Sequence, residues 1–541
     1  MKNKWIKLTA LVLSALAFVA CVDEQDLGDP DRLFRPIFQK VSKGGTWVRV
    51  EWDRFEGVNY FELELSVDSF ATVAKQVTTT EPFHQFDSLD YDTEYQCRIR
   101  SFDESLNSNW YAVGGIKTDD YPTLLLSPTA IDLLDNAVRM SWTPSEVVYD
   151  YIEVEGADTT LILALTDADR SNAFKIVGGL KANETYVIRV YDASGAYYGK
   201  KSYTTAASQD FGENVVDLRG LAADSALKVL TQDYVTSLCA QYADQEFTIV
   251  LDGGFAYEIP SLYFSDRVRA NITTGLSFAG YAILHVNSNF GVAEADSVTS
   301  LSFSKLIFTE GTTSGKTKLD SNYGGTYLFN FNKSGGNMNS LSFTDCDIRY
   351  KRGVVRLQTQ ATLNQVSIEN CMIDSIGGYG IVNVDNAAST VLDISVKNST
   401  LSHADKLFVA TKPTVGPNSL LVENVTICHS PGSNIYLVDF NGKPVAGGIV
   451  LRNCLIGPGK AGAGINGVRS TTTTSITIDK CYRSSDMLWY TADGAAAPTS
   501  PLNDVEDAGL ASVDLFANAD ASDYTITLEN LINKVGDPRW W

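Results

Sequence analysis

Histidine is scarce in this chain, with four in 541 residues. The eight cysteines include no Cys-x-x-Cys pair, and the two shortages together argue against a zinc site. Basic side chains are also in deficit, 43 Lys+Arg against 65 Asp+Glu, for a net charge of −22. Such a balance argues against nucleic acid or an anionic lipid surface as a general partner. The apolar run Leu8–Ala20 is too short to cross a bilayer as a permanent helix.

What the chain does contain is a phrase that it repeats. LSFTDCDI (Leu341–Ile348) returns as VSIENCMI (Val366–Ile373), ISVKNSTL (Ile394–Leu401), LLVENVTI (Leu420–Ile427), IVLRNCLI (Ile449–Ile456) and ITIDKCYR (Ile476–Arg483). The starts lie 25, 28, 26, 29 and 27 residues apart, and a looser copy, LSFSKLIF (Leu301–Phe308), begins 40 residues before the first. A period of this size marks stacked units that cannot bury their apolar faces alone. Positions 1 and 3 are apolar and positions 2 and 4 mostly polar, the alternation of a half-buried strand. Position 5 is usually Asp or Asn (Asp345, Asn370, Asn398, Asn424 and Asn453), residues that tolerate left-handed backbone and suit a sharp bend. Position 6 then turns inward with Cys346, Cys371, Ser399, Val425, Cys454 and Cys481.

A second short strand follows each phrase, often introduced by Gly, as in GVVRL (Gly353–Leu357) and GIVNV (Gly380–Val384). Short strands and bends leave no room for an amphipathic helix, so each unit reads as one coil of a right-handed parallel β-helix. Equivalent positions then form ladders about 4.8 Å apart. One ladder, Glu369, Lys397, Glu423, Arg452 and Asp479, alternates in sign and reads as a solvated face. Cys346 and Cys371, like Cys454 and Cys481, share a position in consecutive coils. Side chains pointing the same way disfavour the disulfide torsion, so buried thiols are expected.

Residues 1–21 have the layout of an export signal, and the box Phe18-Val19-Ala20-Cys21 resembles that of bacterial lipoproteins, with Phe18 where Leu is usual. That resemblance implies lipidation of Cys21, a lipid anchor in the outer membrane and, with the acidic tether 22–33, display toward the cell exterior. Two segments, 34–119 and 123–206, share a scheme. VRVEW (Val48–Trp52) is followed by Leu89 six residues before Tyr95, and VRMSW (Val138–Trp142) by Leu180 six residues before Tyr186. A core Trp plus a Tyr that ties down a turn resembles fibronectin type III domains. Residues 207–246 read as a linker and helical cap, with a short amphipathic helix in Asp233–Asp244, and 247–490 as the β-helix. The last part, 491–541, reads as a loop and docking tail.

The coil phrases and the closing Gly536-Asp537-Pro538-Arg539-Trp540 resemble bacterial surface lipoproteins that carry a pectate-lyase-like β-helix of uncharacterised function behind fibronectin-type modules. The resemblance implies capture of an extracellular, uronate-containing, pectin-like polysaccharide beside an outer-membrane glycan importer, with no cofactor. Its alternatives are a polysaccharide lyase using Ca²⁺ and a structural or adhesive surface protein. The Asp-Asp, Gly-His-Gly and Arg-Ile-Lys motifs of polygalacturonases are missing from the solenoid. A lyase needs a Ca²⁺ cage of carboxylates beside a basic residue, for which Asp345, Asp347, Asp374 and Asp385 with Arg356 are the candidates. Binding points instead to DIRYKRGVVRLQ (Asp347–Gln358), which packs Arg349, Lys351, Arg352 and Arg356 into eight residues. Guanidinium groups pair bidentately with uronate carboxylates. The register puts Arg356 outward in one column with Asn330 and Asn383, a set able to grip hydroxyls and a carboxylate. Tyr350 and Tyr379 are expected to stack on sugars, with Tyr379 exposed by its Gly-Gly-Tyr-Gly bend. Tyr436 is expected in the core, Trp489 and Tyr490 over the final coil, and His403 with Asp405 in a weak hydrogen-bonding pair.

Overall fold

The computed structural model describes residues 32–220, 229–310, 325–526 and 534–541. Two units emerge, one holding the N-terminal sandwiches and the other Ala206–Trp541 with the short stretches Leu134–Asn136 and Lys181–Asn183. The protein is all-β, with fibronectin type III-like sandwiches ahead of a parallel β-solenoid of about nine turns. Among the described residues no helix is long and apolar enough to cross a membrane.

In the first sandwich a three-stranded sheet (Phe38–Gly44, Trp47–Trp52, Phe83–Phe86) faces a four-stranded one (Lys75–Thr79, Tyr60–Ser66, Glu94–Phe102, Tyr111–Lys117). Val48, Val50 and Trp52 alternate inward, as the pattern of VRVEW requires. The buried Tyr95 hydroxyl accepts a hydrogen bond from the Asp90 amide at 3.1 Å and so ties down the turn entered by Leu89. The second sandwich repeats the plan with buried Trp142, Leu180 and Tyr186.

In the solenoid, the repeated phrase forms the first of three parallel sheets. Its register runs Leu301, Leu341, Val366, Ile394, Leu420, Ile449, Ile476, coil over coil. The position-5 residues Asp345, Asn370, Asn398, Asn424 and Asn453 all have φ between 48° and 54°, the left-handed bend their side chains tolerate. They also bond to one another: Asn370 donates to Asp345, Asn424 to Asn398 (2.8 Å) and Asn453 to Asn424 (3.1 Å). The chain then enters the second sheet, whose columns include Asp347, Met372, Thr400, Thr426 and Leu455. A further left-handed bend at Tyr350, Ser375, His403 and His429 leads to the third sheet.

Inward columns fill the coil with aliphatic and aromatic side chains, such as Phe303 stacked on Phe343 at 5.3 Å. Seven cysteines, Cys97, Cys239, Cys346, Cys371, Cys428, Cys454 and Cys481, are buried free thiols. The helix Gln232–Gln241, capped by Thr231, packs Val235, Leu238 and Cys239 into the same core. Parallel pairing begins at Val215 and continues to Asp507, so the solenoid reaches past both ends of 247–490 into stretches read as linker and tail.

Candidate functional site

The third sheet carries the basic stretch. Its register places Asn330, Arg356 and Asn383 side by side on consecutive coils, the column read from the repeat. The side chains are used differently from that reading. Nε and Nη2 of Arg356 donate to Asp385 at 3.2 and 2.5 Å, and Nη1 donates to the Tyr327 hydroxyl (2.7 Å) and to Gln358 (3.1 Å). Its fork is occupied from within, so Arg356 is not free to take a uronate carboxylate. Asn330 and Asn383 are both buried, and Asn330 donates to Gln358 at 2.9 Å.

Of the other cations, Arg349 is held by Asp347 (2.6 and 2.5 Å). Lys351 is wholly buried against Glu310 (3.3 Å), Thr326 (2.9 Å) and the Val286 carbonyl (2.5 Å). Burial pushes its ammonium pKa down to about 8, against the opposing pull of Glu310. Arg352 is the exception: among the described residues it has no carboxylate partner. Its guanidinium lies 4.7 Å from the ring centre of Tyr379 and 5.9 Å from that of Tyr327. Arg356 lies 4.2 and 4.8 Å from the same rings. The two rings meet edge to face at 5.3 Å.

Gly353 makes that meeting possible. It stands in one column with Tyr327 before it and Gly380 after it. A Cβ at Gly353 would come within 2.9 Å of the Tyr379 Cβ and 3.3 Å of the Tyr327 ring. Tyrosines two coils apart therefore touch over a glycine. Tyr327 escaped the sequence reading, and the signal was Gly353, the glycine at the register position beside it on the next coil.

The four candidate Ca²⁺ carboxylates do not converge. Asp345 accepts from Asn370 in the bend ladder, Asp347 holds Arg349 and Asp385 holds Arg356. Asp374 is buried and accepts from Ser375 (2.5 Å), Ser402 (2.7 Å) and Ser522 (3.0 Å), with His403 Nδ1 at 3.2 Å. Burial would raise its pKa, but the His403 and serine contacts outweigh this and hold it well below the usual carboxylate range. Among the described residues no three His, Cys, Asp or Glu side chains come together to hold a metal. His403 thus pairs with Asp374, while Asp405 takes Lys460 at 2.5 Å. Tyr436 differs from expectation as well: Phe408 stands opposite Val438, and Tyr436, half-buried, carries Arg469 over its ring at 4.9 Å. Trp489 pairs with Ile465 and packs on the end of the core. Cys21 lies outside the described residues.

The outer face of the second sheet belongs to the tail. Trp540 Nε1 donates to Thr400 (2.7 Å), Thr400 donates to Asp537 (2.8 Å), and Asp537 N donates to Thr426 (2.9 Å). Arg539 donates to Asn370 at 3.0 Å, bringing the tail onto the bend ladder. Gly536 has φ 80°, and a Cβ there would lie 2.5 Å from Thr426 Oγ1, so the close approach requires glycine.

Two family models match the solenoid. One is a domain of unknown function, DUF4957, over residues 268–404, and the other a domain of unknown function, DUF5123, over 420–540. The tail residues Asp537, Arg539 and Trp540 fall inside the second match, and their contacts with Thr400 and Asn370 reach into the first. No curated protein matches the chain. Among solved structures, the chain is similar to a segment of two fibronectin type III domains from chicken tenascin. Identity there is 17%, covering 32% of this chain and 100% of that one, with a TM-score of 0.18. It is also similar to the FN1–FN3 domains of chicken CNTN1, at 16% identity, 33% and 68% coverage and a TM-score of 0.14.

Proposed function

We propose that this protein is a lipid-anchored surface protein that captures an extracellular, uronate-containing polysaccharide for an outer-membrane importer, binding it on the third sheet at Arg352 and Tyr379. One observation carries the reading: within a cluster where every other cation has a carboxylate, Arg352 has none among the described residues and lies over tyrosine rings. Stacking orients its N–H edge before a ligand arrives, which suits bidentate pairing with a uronate. Tyr379, half-exposed beside it, offers an apolar surface to the sugar ring. Arg356 and Asp385 hold the tyrosines in place and do not touch the sugar. In the sequence the sandwiches stand between the anchor at Cys21 and the solenoid that carries the site.

The test is a titration of the purified protein with trigalacturonate and with rhamnogalacturonan fragments, with and without Ca²⁺. Saturable binding that falls by about 10- to 100-fold in Arg352→Ala supports the reading, the loss matching charge-assisted hydrogen bonding of roughly 1.5–3 kcal/mol. Equal affinity in Arg352→Ala removes the site. Appearance of an ultraviolet-absorbing unsaturated product would replace the binder with a lyase. Absence of any interaction would favour adhesion.

A further inference from the structure

The first unit contains a cleft of about 590 Å³ between the two sandwiches. That volume lies inside the roughly 300–1,000 Å³ typical of small-ligand sites. Its walls are Asp90, Tyr91 and Tyr121 on one side and Arg189, Tyr191 and Tyr197 on the other. Asp92 fixes the walls to each other. It pairs with Lys117 (2.6 Å) of its own sandwich, and with Lys200 and the Tyr197 hydroxyl (3.2 Å) of the next. Burial would raise the Asp92 pKa, and the two lysines hold it well below the usual range, so it stays ionised.

The lining is aromatic but not dry. Tyr121 meets Tyr91 at 5.0 Å and Tyr197 at 5.9 Å, both edge to face, and Tyr191 meets Tyr197 at 5.8 Å. Tyr91 and Tyr121 are half-buried, and their hydroxyls have no hydrogen-bond partner among the described residues. The exposed Asp90 carboxylate has none either. Ring faces offer apolar area, and these oxygens offer an acceptor and two groups that both donate and accept. A sugar has that combination, with C–H faces and a rim of hydroxyls. Charge then selects among sugars. Arg189 is paired with Glu155 at 2.6 Å and Asp92 with Lys117 and Lys200, so among the described residues Asp90 is the lining charge without an ion partner, and it repels a uronate.

We infer that the cleft between the sandwiches is a second glycan site, selective for a neutral, hydroxyl-rich oligosaccharide. It complements the cationic patch on the solenoid and does not depend on it. Calorimetric titration of the full chain with neutral hexasaccharides of β-linked glucose, xylose and galactose, and with trigalacturonate, tests it. At least one neutral hexasaccharide binds saturably. Tyr121→Ala weakens that binding by about tenfold, and Tyr91→Phe, which keeps the ring and its packing, by about threefold, the scale of one neutral hydrogen bond. Trigalacturonate titrations are unchanged in both variants. Failure of every neutral hexasaccharide to bind, or affinity that survives both substitutions, overturns the assignment.

Discussion

Thr400, Thr426 and Asp374 on the outer face of the second sheet are met by Trp540, Asp537 and Ser522 of the same chain. Beside the third sheet, Arg352 and Tyr379 stack on each other and keep part of their surface in water. One repeat builds both faces, so the difference lies in what the bend residues bring outward. The second face presents small hydroxyls and a buried carboxylate, which a folded tail can satisfy hydrogen bond by hydrogen bond. The third presents rings and guanidinium groups whose mutual stacking leaves one N–H edge unused.

The sharpest way to break this contrast is to strip the tail of its anchor. Tyr524 is fully buried and packs edge to face on Phe516 (5.4 Å) and Trp540 (5.7 Å). Tyr524→Ala should cost about 3–5 kcal/mol of tail docking, the usual penalty for emptying an aromatic core site. Amide hydrogen exchange in Ser419–Cys428 should rise, while exchange in Tyr327–Phe331 stays as it was. Unchanged exchange in both would mean that the tail does not seal the second face.

Next in size is Arg356→Ala, which leaves the partly buried Asp385 without its cation (side chains 12% and 23% exposed). A loss of about 2 kcal/mol is expected, less than for a fully buried pair. Arg352→Ala should leave stability unaltered, since no carboxylate depends on it. Chemical denaturation of the two variants separates a supporting residue from a binding one. If both melt alike, the distinction between them collapses.

Acid should act on the sealed face. Asp374 has a depressed folded pKa, so its stabilisation is complete above about pH 4, near the unfolded carboxyl value, and is lost as pH falls further. Asp537 runs the other way. Burial raises it despite Arg539 and Thr400, so its contribution is present below about pH 4 and lost as pH rises through the folded value. Asp374→Asn should therefore flatten the acid loss of tail docking, and Asp537→Asn should deepen it. Exchange protection of Ser419–Cys428 followed across pH 2–6 checks both signs, and parallel curves for the two variants would refute the linkage.

Much of the solenoid was legible because its physics is periodic. Alternation fixed the strands, Asn370 and its counterparts fixed one bend, and the column Asn330–Arg356–Asn383 followed from counting. The second bend was not legible, since Tyr350, Ser375, His403 and His429 have no side-chain chemistry common to all four and share only a left-handed backbone. The coil scheme also put Arg356 near Asp385; what it did not give is that the two close on each other as an ion pair, because register gives neighbours along a column while this bond crosses to a residue two places on. The tail's partners lie more than 100 residues away in sequence, as with Thr400 and Asp537, and no local pattern encodes such a contact.

The smallest effect is expected where the charge pattern was most conspicuous in the sequence. Arg452 lies 3.0 Å from Glu423 and 3.4 Å from Asp479, and Lys397 lies 3.8 Å from Glu423, on the first sheet. These groups stay in contact with water, where Coulomb attraction is weak and ordering a long side chain offsets it. Arg452→Ala should leave thermal unfolding within experimental scatter, even in low salt, and should not alter the register of Ile449 on Leu420, which buried apolar side chains set. A clear drop in unfolding temperature, erased by added salt, would show that the first sheet's outer face contributes to stability as the second does, and the contrast between sealed and open faces would have to be redrawn to include it.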